Sequence, residues 1–156
     1  MATILEVRGL KKYFPVIRGI LLERVTGWVK AVDDISFSIN EGETFSLVGE
    51  SGCGKTTTAK LILLLEQATA GSIFSMGKDI LQLRDSDLRQ YRSSVQAVFQ
   101  DPYGSLNPRM RIRDIVAEPL LASRTLPRSQ INDRVTDVLT RVGLTADAAR
   151  QYPHQF

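Results

Sequence analysis

Three glycines, a lysine and a threonine recur at one spacing in Gly49-Glu50-Ser51-Gly52-Cys53-Gly54-Lys55-Thr56, which fits the pattern G-x-x-x-x-G-K-S/T without a mismatch. Glycines at 49, 52 and 54 let the backbone turn its N–H groups inward, where a side chain would stand in the way of phosphate oxygens. Lys55 is a compact charge able to reach β- and γ-phosphates. The Thr56 hydroxyl can complete the shell of a Mg2+ ion that keeps most of its waters. Thr57 is placed to cap the loop or touch the α-phosphate region, while Glu50, Ser51 and Cys53 fill the unrestricted positions. The chemistry this constellation points to is binding of a nucleoside triphosphate, ATP, with Mg2+. No Asn-Lys-x-Asp stretch argues for guanine.

Such a loop works only between a strand and a helix, and both are expected here. Thr44 to Val48 is a compact apolar strand running into the glycines, and a helix should start near Lys55 with Leu61, Ile62, Leu64 and Leu65 on its buried face. Upstream, Ile4 to Val7 and Ala31 to Ile39 read as strands, and Pro15 to Lys30 between them reads as an irregular connection. Asn40-Glu41-Gly42 is a turn signal. Downstream come a short strand at Ser72 to Ser75, a brief helix at Asp85 to Arg92 and a second apolar strand at Val95 to Phe99. The loop Asp101 to Arg109 follows, rich in breakers: Pro102, Gly104, Asn107 and Pro108. Helical patterns then take over, with Ile112 to Ala122 as one segment and Ile131, Val135, Val138, Leu139 and Val142 as the apolar stripe of another. The chain is thus expected to be α/β, with strands dominating residues 1–100 and helices 101–156.

The formal charge of +3 arises from 20 basic and 17 acidic residues spread along the chain, the pattern of a solvated surface, so no nucleic-acid partner is expected. The longest unbroken apolar run, Leu61 to Leu65, is far short of the roughly 20 residues a membrane-spanning helix needs. Met1 to Val7 alternates like a strand and lacks the form of a signal peptide. Cys53, the one cysteine, leaves no intrachain disulfide possible and fits a reducing compartment, the cytoplasm. Cleaving a phosphate also requires an acidic residue at the end of an apolar strand to hold Mg2+. Val95 to Phe99 ends in Gln100-Asp101, and Val32-Asp33-Asp34 is too short a run. These residues are therefore expected to hold a triphosphate without cleaving it.

Three stretches together resemble the ATP-binding subunits of ABC transporters, and within them the oligopeptide/dipeptide importers: Ala31 to Phe37, Gly49 to Thr57, and Val98-Phe99-Gln100-Asp101-Pro102-Tyr103-Gly104-Ser105-Leu106-Asn107-Pro108-Arg109-Met110. The resemblance covers essentially the whole chain. It implies a P-loop NTPase of the ABC type: a mixed sheet with N-terminal antiparallel strands, then the start of a helical subdomain, the domain being incomplete. It implies that Gln100 contacts Mg2+ and the attacking water, and that an aromatic ahead of the core stacks on adenine. Register favours Phe14 for that role, with Tyr13 next to it. Residues from about Asp101 to Ala122 are expected to dock on transmembrane permease subunits. A second ATP-binding subunit and, indirectly, a peptide-binding protein are the other implied partners, at the cytoplasmic face of a bacterial inner membrane. Pro15 to Lys30 resembles an extended segment of peptide and nickel importers. Gln151 to Phe156 resembles the stretch just before the family's signature motif, so the signature, the acidic strand with its catalytic glutamate, and the switch histidine are expected to lie further on. Two alternatives keep the ATP site: a non-transport ABC-type ATPase, and a short regulatory relative without catalysis.

Overall fold

The computed structural model describes residues 2–19, 24–123 and 126–156. They separate into two compact units, residues 1–92 and 93–156, each taken here by itself.

The first unit is built on a long antiparallel pair. β1 (Thr3–Arg18) and β2 (Arg24–Asn40) run side by side from Thr3↔Asn40 to Arg18↔Arg24, and β3 (Ala70–Ser75) and the two-residue β4 (Lys78–Asp79) extend the sheet in the order β2-β1-β3-β4. Strict alternation fails along β1, because Val7 and Leu10 are three apart and both fully buried. A bulge resolves this: Gly9 takes φ +54° and its N–H donates to Ser36 Oγ at 2.8 Å, resetting the parity of the strand. Val7, Leu10 and Ile73 form the buried floor of the sheet, joined by Val32, Ile80 and Leu61.

Leu61 comes from α1 (Lys55–Ile62), which begins where the sequence places it but ends early. Leu64 turns left-handed at φ +54°, so the expected face is realised at Leu61, and Leu65 points to solvent. Tyr91 of α2 (Asp85–Ser94) is buried and donates its hydroxyl to the Ile62 carbonyl at 2.7 Å, one of the acceptors a helix C-terminus leaves without an intrahelical partner. Burial pushes the Tyr91 phenol up to about 12, against about 10 in an unfolded chain. The stability this contributes is complete below pH 10 and is lost as pH rises through 12. Urea unfolding at pH 8 and pH 11.5 is therefore expected to show an alkaline loss that Tyr91→Phe flattens, at a cost of about 1 kcal/mol at pH 8 for the missing bond.

Two expected strands are absent as strands. Among the described residues neither 44–48 nor 95–99 joins a ladder, and Val48 and Val98 are 92% and 93% exposed. A strand exists by hydrogen bonding to a neighbour, and among the described residues neither segment has one. Phe45 anchors the first segment by stacking on Phe37 of β2, ring centres 4.8 Å apart. The opposite correction applies to 15–30. Instead of an irregular connection it is the distal half of the β1–β2 ladder, through Phe14↔Val29, Pro15↔Trp28 and Val16↔Gly27. β3 pairs with β1 only as far as Lys11↔Ala70, so this half is a two-stranded ribbon, an edge on which Pro15 costs no ladder bond. Residues 20–23 lie outside the described residues.

The second unit packs α3 (Ile112–Ser123) against α4 (Arg128–Arg141) around Ala117, Ile131, Val135 and Leu139. The i, i+4, i+8 positions of α4 are the buried ones, while Val142, also expected on that stripe, is exposed. A short 3-10 turn at Ala146–Arg150 packs Ala149 against the cluster and buries Ala148, and the Ile112 N–H donates to the Gln151 carbonyl at 2.9 Å. Among the described residues no helix is long and apolar enough to cross a membrane.

Candidate functional site

The glycine-rich loop closes on itself through its lysine. Lys55 Nζ donates to the carbonyls of Gly49 at 2.8 Å and Glu50 at 2.7 Å, and lies 3.4 Å from Cys53 Sγ. Gly54 caps α1 in the left-handed region at φ +94° and has no side chain with which to satisfy the first-turn donors. The N–H groups that an α-helix leaves unpaired at its start therefore remain available at the loop. Glycine is required at 54 by contact as well as conformation, since a Cβ there would lie 2.1 Å from the Ala31 carbonyl oxygen. At Gly49 a Cβ would lie 2.5 Å from Cys53 Sγ. Thr56 is exposed and Thr57 half-buried, whereas Thr58 is buried and returns both its N–H and its hydroxyl to the Gly54 carbonyl, at 2.8 and 3.0 Å.

Beside this loop lies a cavity of about 350 Å³ lined by Lys30, Val32, Asp33, Val48, Gly54 and Lys55 among others. Its volume falls within the range of small-ligand sites. Lys30 and Asp33 were not among the candidates from sequence. Asp33 lies within the stretch Ala31 to Phe37, but nothing in the sequence gives it or Lys30 a role at the nucleotide, and the β1–β2 register, which sets Tyr13 opposite Lys30, is what brings the cluster together. The Tyr13 hydroxyl donates to Asp33 Oδ1, Lys30 Nζ donates to Asp33 Oδ2 at 3.2 Å, and the ammonium sits 5.3 Å from the Tyr13 ring centre. The Tyr13 hydroxyl and the Lys30 ammonium hold the Asp33 carboxyl below the usual carboxylate range, and Asp33 in turn pushes Tyr13 and Lys30 up. Phe14, next in sequence, is paired instead with Lys12, whose Nζ lies 4.6 Å from its ring centre and 3.1 Å from Glu66.

These residues fit a nucleoside triphosphate. A cradle that a Cβ would obstruct, a lysine spanning it, open helix-start donors and an exposed threonine hydroxyl are the donor set that phosphate and Mg2+ require. Gln100 belongs to the second unit, where it is exposed and precedes a turn held by Asp101. Asp101 Oδ1 accepts the Gly104 N–H at 2.9 Å and its carbonyl accepts the Ser105 hydroxyl at 3.0 Å, while Asn107 Oδ1 accepts the Arg109 N–H at 3.0 Å. The breakers read from the sequence thus make a defined loop.

Comparison with known proteins places these features in a wider set. Residues 32–156 match the family described as ABC transporter. The chain is 46% identical over 155 residues to the oligopeptide transport ATP-binding protein AppF of Bacillus subtilis (strain 168), covering 99% of this chain and 47% of that protein. It is 39% identical over 154 residues to the dipeptide transport ATP-binding protein DppF of Escherichia coli (strain K12), covering 98% of this chain and 45% of that one. The chain therefore spans about half the length of these curated relatives. In fold it is similar to the ATP-binding cassette MJ0796, solved as a dimer in a post-hydrolysis state with ADP and Pi, with a TM-score of 0.74 at 23% identity, covering 98% of this chain and 63% of that one.

Proposed function

The chain belongs to the ABC transporter family, and from that premise we propose that it is the nucleotide-binding part of an ATPase subunit that energises peptide import. ABC ATPase domains bind ATP with Mg2+ and hydrolyse it, and ABC ATP-binding subunits dimerise and work with membrane permeases. The observation that carries the reading is the cradle formed by Gly49, Gly52 and Gly54 around the Lys55 ammonium at the start of α1. The names of the relatives AppF and DppF support peptides as the cargo.

In this reading Lys55 exchanges the Gly49 and Glu50 carbonyls for β- and γ-phosphate oxygens, and the backbone of Glu50, Ser51, Gly52 and Cys53 wraps the phosphates. Thr57 sits against the α-phosphate. The Thr56 hydroxyl would hold Mg2+, which would supply neutralisation of charge on the phosphate oxygens, and for Gln100 the family resemblance implies contact with Mg2+ and the attacking water. Residues 1–156 contain no apolar strand ending in an acidic pair, so by themselves they bind ATP without turning it over. The partners proposed are permease subunits, reached through about Asp101 to Ala122, a second ATP-binding subunit and indirectly a peptide-binding protein, at the cytoplasmic face of a bacterial inner membrane.

Tyr13 rather than Phe14 stacks on adenine. What supports this is the hydroxyl bond to Asp33 on the cavity wall, against the tie of Phe14 to Lys12. Stacking is worth about 1 to 3 kcal/mol per base, so Tyr13→Ala is expected to weaken ATP binding by about ten-fold to a hundred-fold while leaving inorganic tripolyphosphate unaffected. Phe14→Ala is expected to change neither. Equal losses for both ligands, or a greater loss from Phe14→Ala, would overturn the choice of Tyr13.

A further inference from the structure

The β1–β2 register runs without a shift from Tyr13↔Lys30 through Phe14↔Val29 and Pro15↔Trp28 to Val16↔Gly27. Side chains two apart on a strand share a face. Trp28 therefore stands on the face of Tyr13 and Lys30, with Phe14 and Val29 on the other. The indole is 59% exposed. Pro15, directly across the ladder, is too short to cover it, and Trp28 enters no ring stack or cation–π contact among the described residues. A bare indole thus follows Tyr13 and Lys30 along the cavity wall, in the direction away from the phosphate cradle.

Diagonal neighbours across an antiparallel pair, as Tyr13 and Trp28 are, lie about 7–8 Å apart. A flat base packed between two rings needs about 3.5–4.0 Å of carbon contact on each side, and twice that is about 7–8 Å. Reach agrees with spacing. The cradle meets β2 at Ala31, where the Gly54 backbone lies against the Ala31 carbonyl. From Ala31 to Trp28 the strand advances about 10 Å, at about 3.4 Å per residue. An extended nucleoside triphosphate spans a comparable distance from its middle phosphate to its base. The Lys30 ammonium, 5.3 Å from the Tyr13 ring centre, leans to Asp33 Oδ2 at 3.2 Å and so away from Trp28. The Tyr13 hydroxyl, donating to Asp33, fixes its ring as one wall. We propose that Tyr13 and Trp28 form an aromatic clamp that holds the adenine of ATP between them. Trp28 adds a second ring to the stacking on Tyr13 proposed above, on which the clamp rests.

Trp28 is the chain's one tryptophan, so indole emission reports on this ring alone. ATP with Mg2+, added to the 156-residue chain, is expected to quench Trp28 emission with the same midpoint as binding followed by calorimetry. Inorganic tripolyphosphate is expected to bind and leave the emission unchanged. Trp28→Ala should weaken ATP binding about ten-fold, with tripolyphosphate binding and thermal unfolding unaltered. Trp28→Phe keeps a stacking face and should recover most of that loss. Emission that stays fixed while ATP saturates the site would overturn the clamp, as would Trp28→Ala binding ATP as tightly as the parent. If Tyr13→Ala still weakens ATP binding, either result strikes Trp28 alone and leaves Tyr13 as the base's one ring. If Tyr13→Ala is also without effect, adenine lies elsewhere and the stacking on Tyr13 falls with the clamp.

Discussion

Lys55→Ala is expected to abolish binding of a fluorescent ATP analogue to the 156-residue chain, a loss of two orders of magnitude or more. In the structure the ammonium is held by two carbonyls of its own loop, Gly49 and Glu50, both within 2.8 Å. It is therefore already at the centre of the cradle and needs only to exchange those acceptors for phosphate oxygens. A unit charge pair at about 4 Å near a protein surface is worth about 4 kcal/mol before desolvation, so its loss outweighs any contact the base or ribose could add. The folded state should suffer little, because the two bonds given up lie at an exposed site and each is worth about 1 kcal/mol at most. Unaltered thermal unfolding together with lost binding is the expected pair of results. Undiminished binding of the analogue by this variant would refute the assignment of the site. In the same assay, phosphate release by the parent chain should stay at background, and release that depends on Lys55 would refute the proposal that residues 1–156 alone do not turn ATP over.

Gly54→Ala is expected to remove binding by another route, through the architecture of the loop. The added Cβ would meet the Ala31 carbonyl oxygen at 2.1 Å and the carbonyl carbon at 3.3 Å, with Val32 Cγ2 at 3.5 Å. These are atoms of β2, whose backbone is fixed by its ladder to β1, so the strand cannot retreat cheaply. To the clash is added the cost of a side chain in the left-handed region, about 1–2 kcal/mol. The total expected loss in the first unit is about 3 kcal/mol or more. Gly52 gives the control, because it too has positive φ, +85°, but a Cβ there meets nothing within 4 Å. Gly52→Ala should therefore lose only the conformational part. Urea unfolding of the two variants separates the terms, and equal stability of both would show that the approach of the loop to Ala31 does not matter.

Features fixed within a few residues of chain were legible in the sequence. Gly49 to Thr56 and the start of α1 at Lys55 follow from glycine's access to positive φ and from a helix that begins without a capping side chain. The stripe Ile131, Val135 and Leu139 follows from the helical repeat, and each of the three is buried. The turn at Asp101 to Arg109 follows from short polar side chains folding back on their own backbone.

What depended on distant partners was not legible. Residues 44–48 and 95–99 have strand composition but no ladder among the described residues, since composition supplies apolar side chains and not the neighbouring N–H and C=O groups. Residues 15–18 and 24–30 lacked strand composition at Pro15 and Gly27 yet form a ladder, because each strand there needs a partner on one side alone. Parity along β1 gives no guide to the proposed choice between Tyr13 and Phe14, as the β1–β2 register shifts between Leu10 and Lys12 and again between Lys12 and Tyr13. Each shift reverses which face a side chain occupies. The sequence by itself thus determined the glycine-rich loop, whose turn follows from eight consecutive residues, though its seat against Ala31 is set by β2. The tertiary structure alone decided the wall beside it and the ribbon beyond it, because Tyr13 of β1 meets Lys30 and Asp33 of β2 only through the pairing register of the two strands.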